Sequence, residues 1–354
     1  MSSGLSGLRA VAWRSTCRAI AALFFTVACL SAQPTPRALP DSVRGYVHDA
    51  MTAFRAHSVH QAEVDWRALE DSVLARSAGA RTPADTWQVL TWALRSVDRH
   101  SFLLPPPDRM PAFVAGMAPA RSTTPPPVRQ EASLLDERIG LVVVHGHTGL
   151  NRPTYVDSLL ARLGTLDRAG ACGWVVDLRN DTGGNMWPML AGIGPLLGAE
   201  VVGSLTNERS GLGWHYRDGR SWNGDSTPPA APLGWGSAPP PRLVHADAPV
   251  ALLVGRETAS SGEMVLLAFL GRPNVRSFGD STAGYTSGNA NVPLRDGATL
   301  IVTSSYPRDR LGRTYPLRIA PDEVVLASDG AGGDAPLGRA VAWLHRQPAC
   351  AGHR

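Results

Sequence analysis

The segment Pro249-Val-Ala-Leu-Leu-Val-Gly-Arg-Glu-Thr-Ala-Ser-Ser-Gly-Glu-Met-Val-Leu-Leu-Ala-Phe-Leu-Gly271 decides the fold. Val250 to Val254 is a continuous apolar run bounded by Pro249 and Gly255. It is too short for a helix and predicts a strand buried on both faces. Met264 to Leu270 predicts a buried helix that stops at Gly271. Between them lie Thr258, Ala259, Ser260, Ser261 and Gly262. A strand, a tight turn and a helix in this order lift a hydroxyl out at a helix N-terminus. Backbone N–H groups and the helix dipole there can stabilise a developing oxyanion. The same residues also read as an ordinary Ser/Thr cap with Glu263 in the first turn. The local sequence leaves both readings open.

Outward from this segment the pattern stays α/β. Ile139 to Val144 predicts a strand, Arg152 to Leu166 an amphipathic helix, and Gly173 to Arg179 a second buried strand. That strand runs into Asn180-Asp181-Thr182-Gly183-Gly184-Asn185, a turn that needs its glycines. Met186 to Leu197 is helical in pattern, interrupted at Pro188 and Pro195. Strand, helix, strand, turn and helix imply a parallel or mixed sheet. Val201 to His245, rich in Gly, Pro and Trp, reads as short strands and long loops. Further strands are predicted at Val275 to Phe278 and Leu300 to Thr303, with a hairpin turn at Arg295-Asp-Gly-Ala298 and a closing helix at Leu337 to Leu344.

Upstream, Asp41 to Leu94 is helical in pattern. Thr82-Pro83 caps a helix running to Val97. That helix ends in Asp98-Arg-His-Ser101, so His100 lies just beyond a helix C-terminus with Asp98 and Ser101 beside it. By itself His100 is either a satisfied structural histidine or a general base. The organisation expected is a signal segment at 1–32, a helical domain at 33–104, a Pro-rich linker at 105–135 and an α/β core at 136–348.

Composition narrows the chemistry. The chain has 354 residues, 44% hydrophobic and 18% charged, and its formal charge is +4. Basic residues are dispersed without interleaved aromatics, so nucleic acid is not an expected partner. All 34 basic residues are arginine, which removes every mechanism that needs a lysine. Neither a cofactor nor a metal ion is expected; His145-Gly-His147 is too slight a metal motif. Arg9, Arg14 and Arg18 precede the apolar stretch Ala19 to Leu30 and the small residues Ser31 and Ala32. This predicts a cleaved secretory signal and a periplasmic or extracellular protein. Membrane association would come only from an uncleaved signal or from lipidation at Cys29. Cys172 and Cys350 would then remain, as one disulfide or as a core thiol and a spare.

Several separated motifs agree on one resemblance. Gly173-Trp-Val-Val-Asp-Leu-Arg-Asn-Asp-Thr-Gly-Gly-Asn185 resembles the signature of the tail-specific (C-terminal-processing) and tricorn core serine peptidases. Thr258-Ala-Ser-Ser-Gly-Glu263 is similar to their nucleophile turn, and Phe278-Gly-Asp-Ser-Thr-Ala-Gly284 to a later landmark. Asp98-Arg-His-Ser101 resembles the histidine motif of the tricorn-like branch. The resemblance implies a Clp protease/crotonase-like core with a small helical N-terminal domain, and peptides or proteins as substrates. It implies Ser260 as nucleophile, with Ser261 as its neighbour and rival, and His100 as general base. Tyr285 stands where the tail-specific branch has its lysine. Ser101, Asp98 and Asp322 are the candidates to orient His100, because Tyr315 stands near the place of the family's orienting Glu. The oxyanion donors implied are N–H groups of Gly183 or Gly184 and of Ser261. The interval Phe102–Arg138 is too short for the PDZ domain that many members carry. The function implied is an exported serine peptidase working through an acyl-enzyme, with activity rising through a titration near neutral pH and then reaching a plateau. The alternatives are a degenerate member that binds peptides or other ligands, and an esterase on the same atoms.

Overall fold

A computed structural model describes residues 38–110, 132–148, 153–198, 201–207, 212–245, 247–326 and 333–351. The expected signal segment, Cys29 and most of the Pro-rich linker lie outside the described residues.

The chain opens with α1 (Asp41–His57), α2 (Trp66–Arg76), a 3₁₀ turn at Pro83–Thr86 and α3 (Trp87–Val97), then strand β1 (Phe102–Leu104). Asp85 accepts from the backbone N–H groups of Arg81 and Thr82, which fixes the start of the turn before α3. The core follows as β2 (Ala132–Leu135), β3 (Ile139–Val143), α4 (Pro153–Arg168), β4 (Gly173–Asp177) and α5 (Met186–Ile193). Pro188 sits in the first turn of α5, where a missing N–H costs nothing, so this proline does not break the helix. Next come β5 (Val201–Leu205), β6 (Gly213–Arg217), β7 (Arg220–Gly224) and β8 (Gly234–Trp235). The last part holds β9 (Val250–Val254), α6 (Ser261–Phe269), β10 (Val275–Gly279), β11 (Gly288–Pro293), β12 (Thr299–Ser305), β13 (Pro307–Arg308), β14 (Glu323–Val324) and α7 (Ala335–His345).

Six strands form the central sheet in the order β14-β10-β9-β4-β3-β2. All neighbours are parallel except β2, which pairs antiparallel with β3. Every residue of β4 and β9 is buried, the mark of strands covered on both faces. One face packs Val176, Leu252 and Val254 against α4, α5 and α6 through Leu163, Leu190 and Leu266. The other packs Val175, Leu253 and Phe278 against Ala340 and Leu344 of α7. The Trp-rich stretch folds as a second sheet, β13-β5-β6-β7-β8, with Trp214 and Trp222 buried.

The third sheet, β1-β12-β11, carries the N-terminal helices. Tyr46, Phe54, Leu90 and Leu94 share one apolar cluster with Leu103, Ala298, Leu300 and Val302. The helices therefore complete their core on a hairpin that arrives about two hundred residues later in sequence. Cys172, at the head of β4, is joined to Cys350 by a disulfide with Cα atoms 5.3 Å apart. It ties the C-terminal turn to the central sheet. Among the described residues no helix is long and apolar enough to cross a membrane.

Candidate active site

Strands β4 and β9 are parallel neighbours, with Asp177 opposite Leu253, so both release their chains at the same end of the sheet. Carboxyl ends of such strands are where α/β sheets place ligands. β4 runs into the glycine loop Asn180–Asn185, and β9 into the Ser260 turn. Buried Thr258 laces the two together: its hydroxyl donates to Leu178 O at 2.9 Å, and Ala259 N–H donates to Asp181 O at 2.9 Å.

Ser260 caps α6 with φ 52° and ψ −118°. This backbone state is rare for a residue with a side chain and costs on the order of 1–3 kcal/mol, a strain found where a side chain must be aimed. Ser261 is buried and its hydroxyl donates to Gly184 O at 2.7 Å. It closes the turn onto the glycine loop, while Ser260 remains half-buried above it. Gly183 has φ 101°, and a Cβ placed there would lie 2.8 Å from Ser260 Cβ. Only a glycine leaves this approach open. The Gly183 N–H donates to Asp181 Oδ1 at 3.0 Å. It is therefore already engaged, unlike the free oxyanion donor the motif implied.

Glu263 is fully buried and does far more than fill a first helical turn. Its Oε2 accepts from Ser260 N–H at 2.9 Å and Tyr285 N–H at 2.8 Å. Its Oε1 accepts from Gly284 N–H at 2.8 Å and from the Thr282 hydroxyl. Burial pushes its pKa up, against these four hydrogen bonds, which favour the carboxylate. The Tyr285 ring lies edge-on to His100, centroids 5.2 Å apart, and the Arg99 guanidinium sits 4.2 Å from the tyrosine centroid. Glu263 thus links the Ser260 turn to the segment that flanks His100.

His100 Nδ1 lies 2.7 Å from Ser287 Oγ. Ser287 Oγ lies 3.3 Å from Thr303 Oγ1, and the Thr303 hydroxyl donates to Asp98 Oδ1 at 2.8 Å. With Nδ1–H donating, two hydroxyls connect the imidazole to a carboxylate, and Nε2 keeps its lone pair. Asp98 also accepts from His100 N–H at 2.8 Å and stands 3.3 Å from His60 Nε2. Burial, more than nearby Arg99, holds His100 down at about 4, while Asp98 pulls the other way.

The other expected orienters bond elsewhere. Ser101 Oγ accepts from Thr303 N–H at 2.9 Å, fastening the His100 turn to β12. Asp322 accepts from the N–H and hydroxyl of Ser277, both at 2.8 Å. Tyr315 donates to Asp309 at 2.9 Å. Ser287 and Thr303 escaped the sequence reading because they stand 187 and 203 residues from His100. Among the described residues no cluster of His, Cys, Asp and Glu is arranged to hold a metal ion. The His147 ring instead packs on Tyr155, centroids 4.6 Å apart.

The model of peptidase family S41 matches residues 138–325, more than half of the chain. This chain belongs to peptidase family S41. Nisin-resistance protein of Lactococcus lactis subsp. lactis is 36% identical over 151 residues, which span 42% of this chain and 45% of that protein. The chain thus matches less than half the length of this curated relative. A lipoprotein from Streptococcus agalactiae has a similar structure, with TM-score 0.61 and 25% identity over 86% of this chain and 97% of that one. The photosystem II D1 C-terminal processing protease shares the fold at TM-score 0.54 and 15% identity, over 87% of this chain and 98% of its own. The Clp protease/crotonase-like core implied by the motifs is the core observed.

Proposed function

We propose that this S41 member is an exported serine peptidase in which Ser260 is the nucleophile and His100 the general base. One observation carries the reading. A single buried carboxylate, Glu263, holds both the strained Ser260 and the segment that packs on His100. In this reading His100 Nε2 takes the Ser260 proton as Oγ attacks a peptide carbonyl. The leaving amine takes that proton back, and water then hydrolyses the acyl-enzyme. The N–H groups of Gly184 and Ser261 receive the oxyanion, and Gly183 gives the carbonyl room to approach Ser260.

The hydroxyl relay from His100 through Ser287 and Thr303 to Asp98 supplies the orienting function that adjacent residues do not. It counts against a degenerate binder, which would have no use for a strained serine turn tied through Glu263 to the segment that packs on an oriented imidazole. Tyr285, whose N–H is fixed on Glu263, fits a wall against His100 and not a replacement base. Export is supported by the Cys172–Cys350 disulfide, which an oxidising compartment maintains. The names of the relatives, a nisin-resistance protein and a lipoprotein, support the same address and suggest peptides as substrates.

The test is labelling of the pure protein with a fluorophosphonate, followed by peptide-library cleavage. Labelling should vanish in Ser260→Ala and persist in Ser261→Ala. A wild-type protein that takes no label at neutral pH would make the chain a binding protein. Turnover of short esters without any peptide would make it an esterase.

A further inference from the structure

Asp181 is fully buried, and its Oδ2 has no hydrogen-bond partner among the described residues. Buried carboxyl oxygens are nearly always paired, so an unpaired one at a candidate active site calls for a cause. Its surroundings are tight. A Cβ on Gly262, in the first turn of α6, would lie 2.8 Å from Asp181 Cγ, and one on Gly146 would lie 3.4 Å from Oδ1. The carboxyl group is wedged between the nucleophile helix, the 144–148 loop and its own glycine loop. It holds that loop and ties it to the Ser260 turn: Oδ1 accepts from Gly183 N–H at 3.0 Å, and the backbone oxygen accepts from Ala259 N–H at 2.9 Å.

The groups that can charge on the packed elements are Tyr155, Asp157, Arg162, Asp167 and Arg168 on α4, His145 and His147 on the 144–148 loop, and Glu263 on α6. Asp157 and Asp167 accept from Ser237 N–H and Val244 N–H, and Arg168 donates to Thr165. Tyr155 donates to His145 O at 2.6 Å, and burial first, with ionised Asp181 adding to it, pushes its phenol up. Arg179, two residues before Asp181, is committed to Asp177 and Asp334 at 2.6 Å each. Among the described residues no ion pair reaches the Asp181 carboxyl, whose Oδ2 is unpartnered, so a negative charge there would stand poorly compensated.

We propose that Asp181 is a positioning residue of the Ser260 site, neutral in the working enzyme, whose ionisation shuts acylation down. The proposal rests on the peptidase reading of Ser260. As a neutral acid, Asp181 lends Oδ1 to Gly183 N–H and sets the glycine loop beside Ser260. On losing its proton it places a full negative charge two residues from Gly183, in a site that must itself accept a developing negative charge. Two like charges a few ångströms apart in a partly buried site oppose each other strongly. Burial holds the Asp181 carboxyl at about 7, so the change falls in the physiological range.

The test compares wild type with Asp181→Asn, which keeps the shape and the acceptor oxygen but cannot ionise. Fluorophosphonate acylation by the wild type should fall on the order of tenfold between pH 6 and pH 9, the scale of one unscreened like charge. The asparagine variant should lose this fall. In parallel, the Gly183 amide is followed by NMR in ¹⁵N-glycine-labelled protein. It should titrate near pH 7 in the wild type and stay still in the variant. A Gly183 amide that does not move between pH 5 and pH 9 overturns the proposal whatever the activity. So does an amide that titrates while both proteins give one and the same acylation profile. If neither protein is labelled at any pH, the peptidase reading fails and the positioning role fails with it. The amide still reports separately whether Asp181 ionises.

Discussion

Ser260 and Tyr285, 25 residues apart, donate their backbone N–H groups to the same oxygen of Glu263, at 2.9 and 2.8 Å. The glutamate thereby sets the distance between the hydroxyl turn and the wall of the His100 pocket. Glu263→Gln keeps one acceptor oxygen but turns an NH₂ group toward donors. Stranded buried donors cost about 1–3 kcal/mol each. We expect a loss of about 2–5 kcal/mol in denaturant unfolding and a fall in acylation of at least tenfold. A variant with unchanged stability would mean that Glu263 is not the tie described here.

His100→Ala should reduce acylation by about two to four orders of magnitude, the usual range for loss of a general base. Ser287→Ala should cost about tenfold, because the imidazole loses its orienting partner but not its lone pair. Tyr285→Phe should cost less than His100→Ala. Should Tyr285→Phe fold normally and abolish labelling while His100→Ala hardly matters, the roles of the two are reversed.

The acid limb of the activity carries its own sign. His100 is held at about 4 in the folded protein, below its ordinary 6.5. The unfolded chain thus binds this proton more readily between pH 6.5 and 4, and stability falls as pH falls through that window. A base must be neutral to act, so acylation should rise through about pH 4, below the near-neutral titration expected from sequence. Stopped-time labelling from pH 3 to 7 reads this midpoint. A midpoint near 6.5 would mean that the partial burial of His100 does not lower its pKa.

The parts legible in the sequence were those whose cause is local. Val250–Val254 is a run of small and branched apolar residues because both its faces are covered. The turn after it needed small residues and hydroxyls, and His100 was visible because a helix stops just before it. What was not legible depends on where distant segments meet. Ser261 and Ser260 are the same residue type one position apart, and only the packing of the glycine loop decides which hydroxyl turns inward. Ser287 reads as one more polar residue in a Thr-Ser-Gly-Asn loop until β12 brings Thr303 beside it. The Trp-rich stretch was readable as short strands, but its closure by β13, about seventy residues beyond β8, was not.

Gly183→Ala tests the glycine loop. The new Cβ would lie 2.8 Å from Ser260 Cβ on a backbone with φ 101°, so both space and conformation resist it. A loss of about 1–3 kcal/mol in stability is expected from the backbone alone, with acylation falling at least a hundredfold. Measured kinetics close to wild type would show that the loop has room to retreat.

Reduction of the Cys172–Cys350 bond should lower stability without touching the site, which lies at the opposite end of β4. The bond closes a loop of 178 residues, and loop-closure entropy sets an upper figure of about 5 kcal/mol for its loss. Unfolding of Cys350→Ser in urea, with labelling measured in the folded baseline, separates the two effects. Loss of labelling in that baseline would tie the bond to the site after all.

The hairpin β11–β12 has a consequence in time. The ribosome releases the chain N-terminus first, so α1 to α3 emerge long before Leu300 and Val302 exist to cover them. The Asp98–Ser101 turn is likewise made early, but Ser287 and Thr303, which aim His100, come last. A growing chain therefore leaves His100 without these two partners until residue 303 has been made. On the peptidase reading proposed above, the order of synthesis itself delays the site while the chain's own unfolded backbone is the nearest peptide at hand.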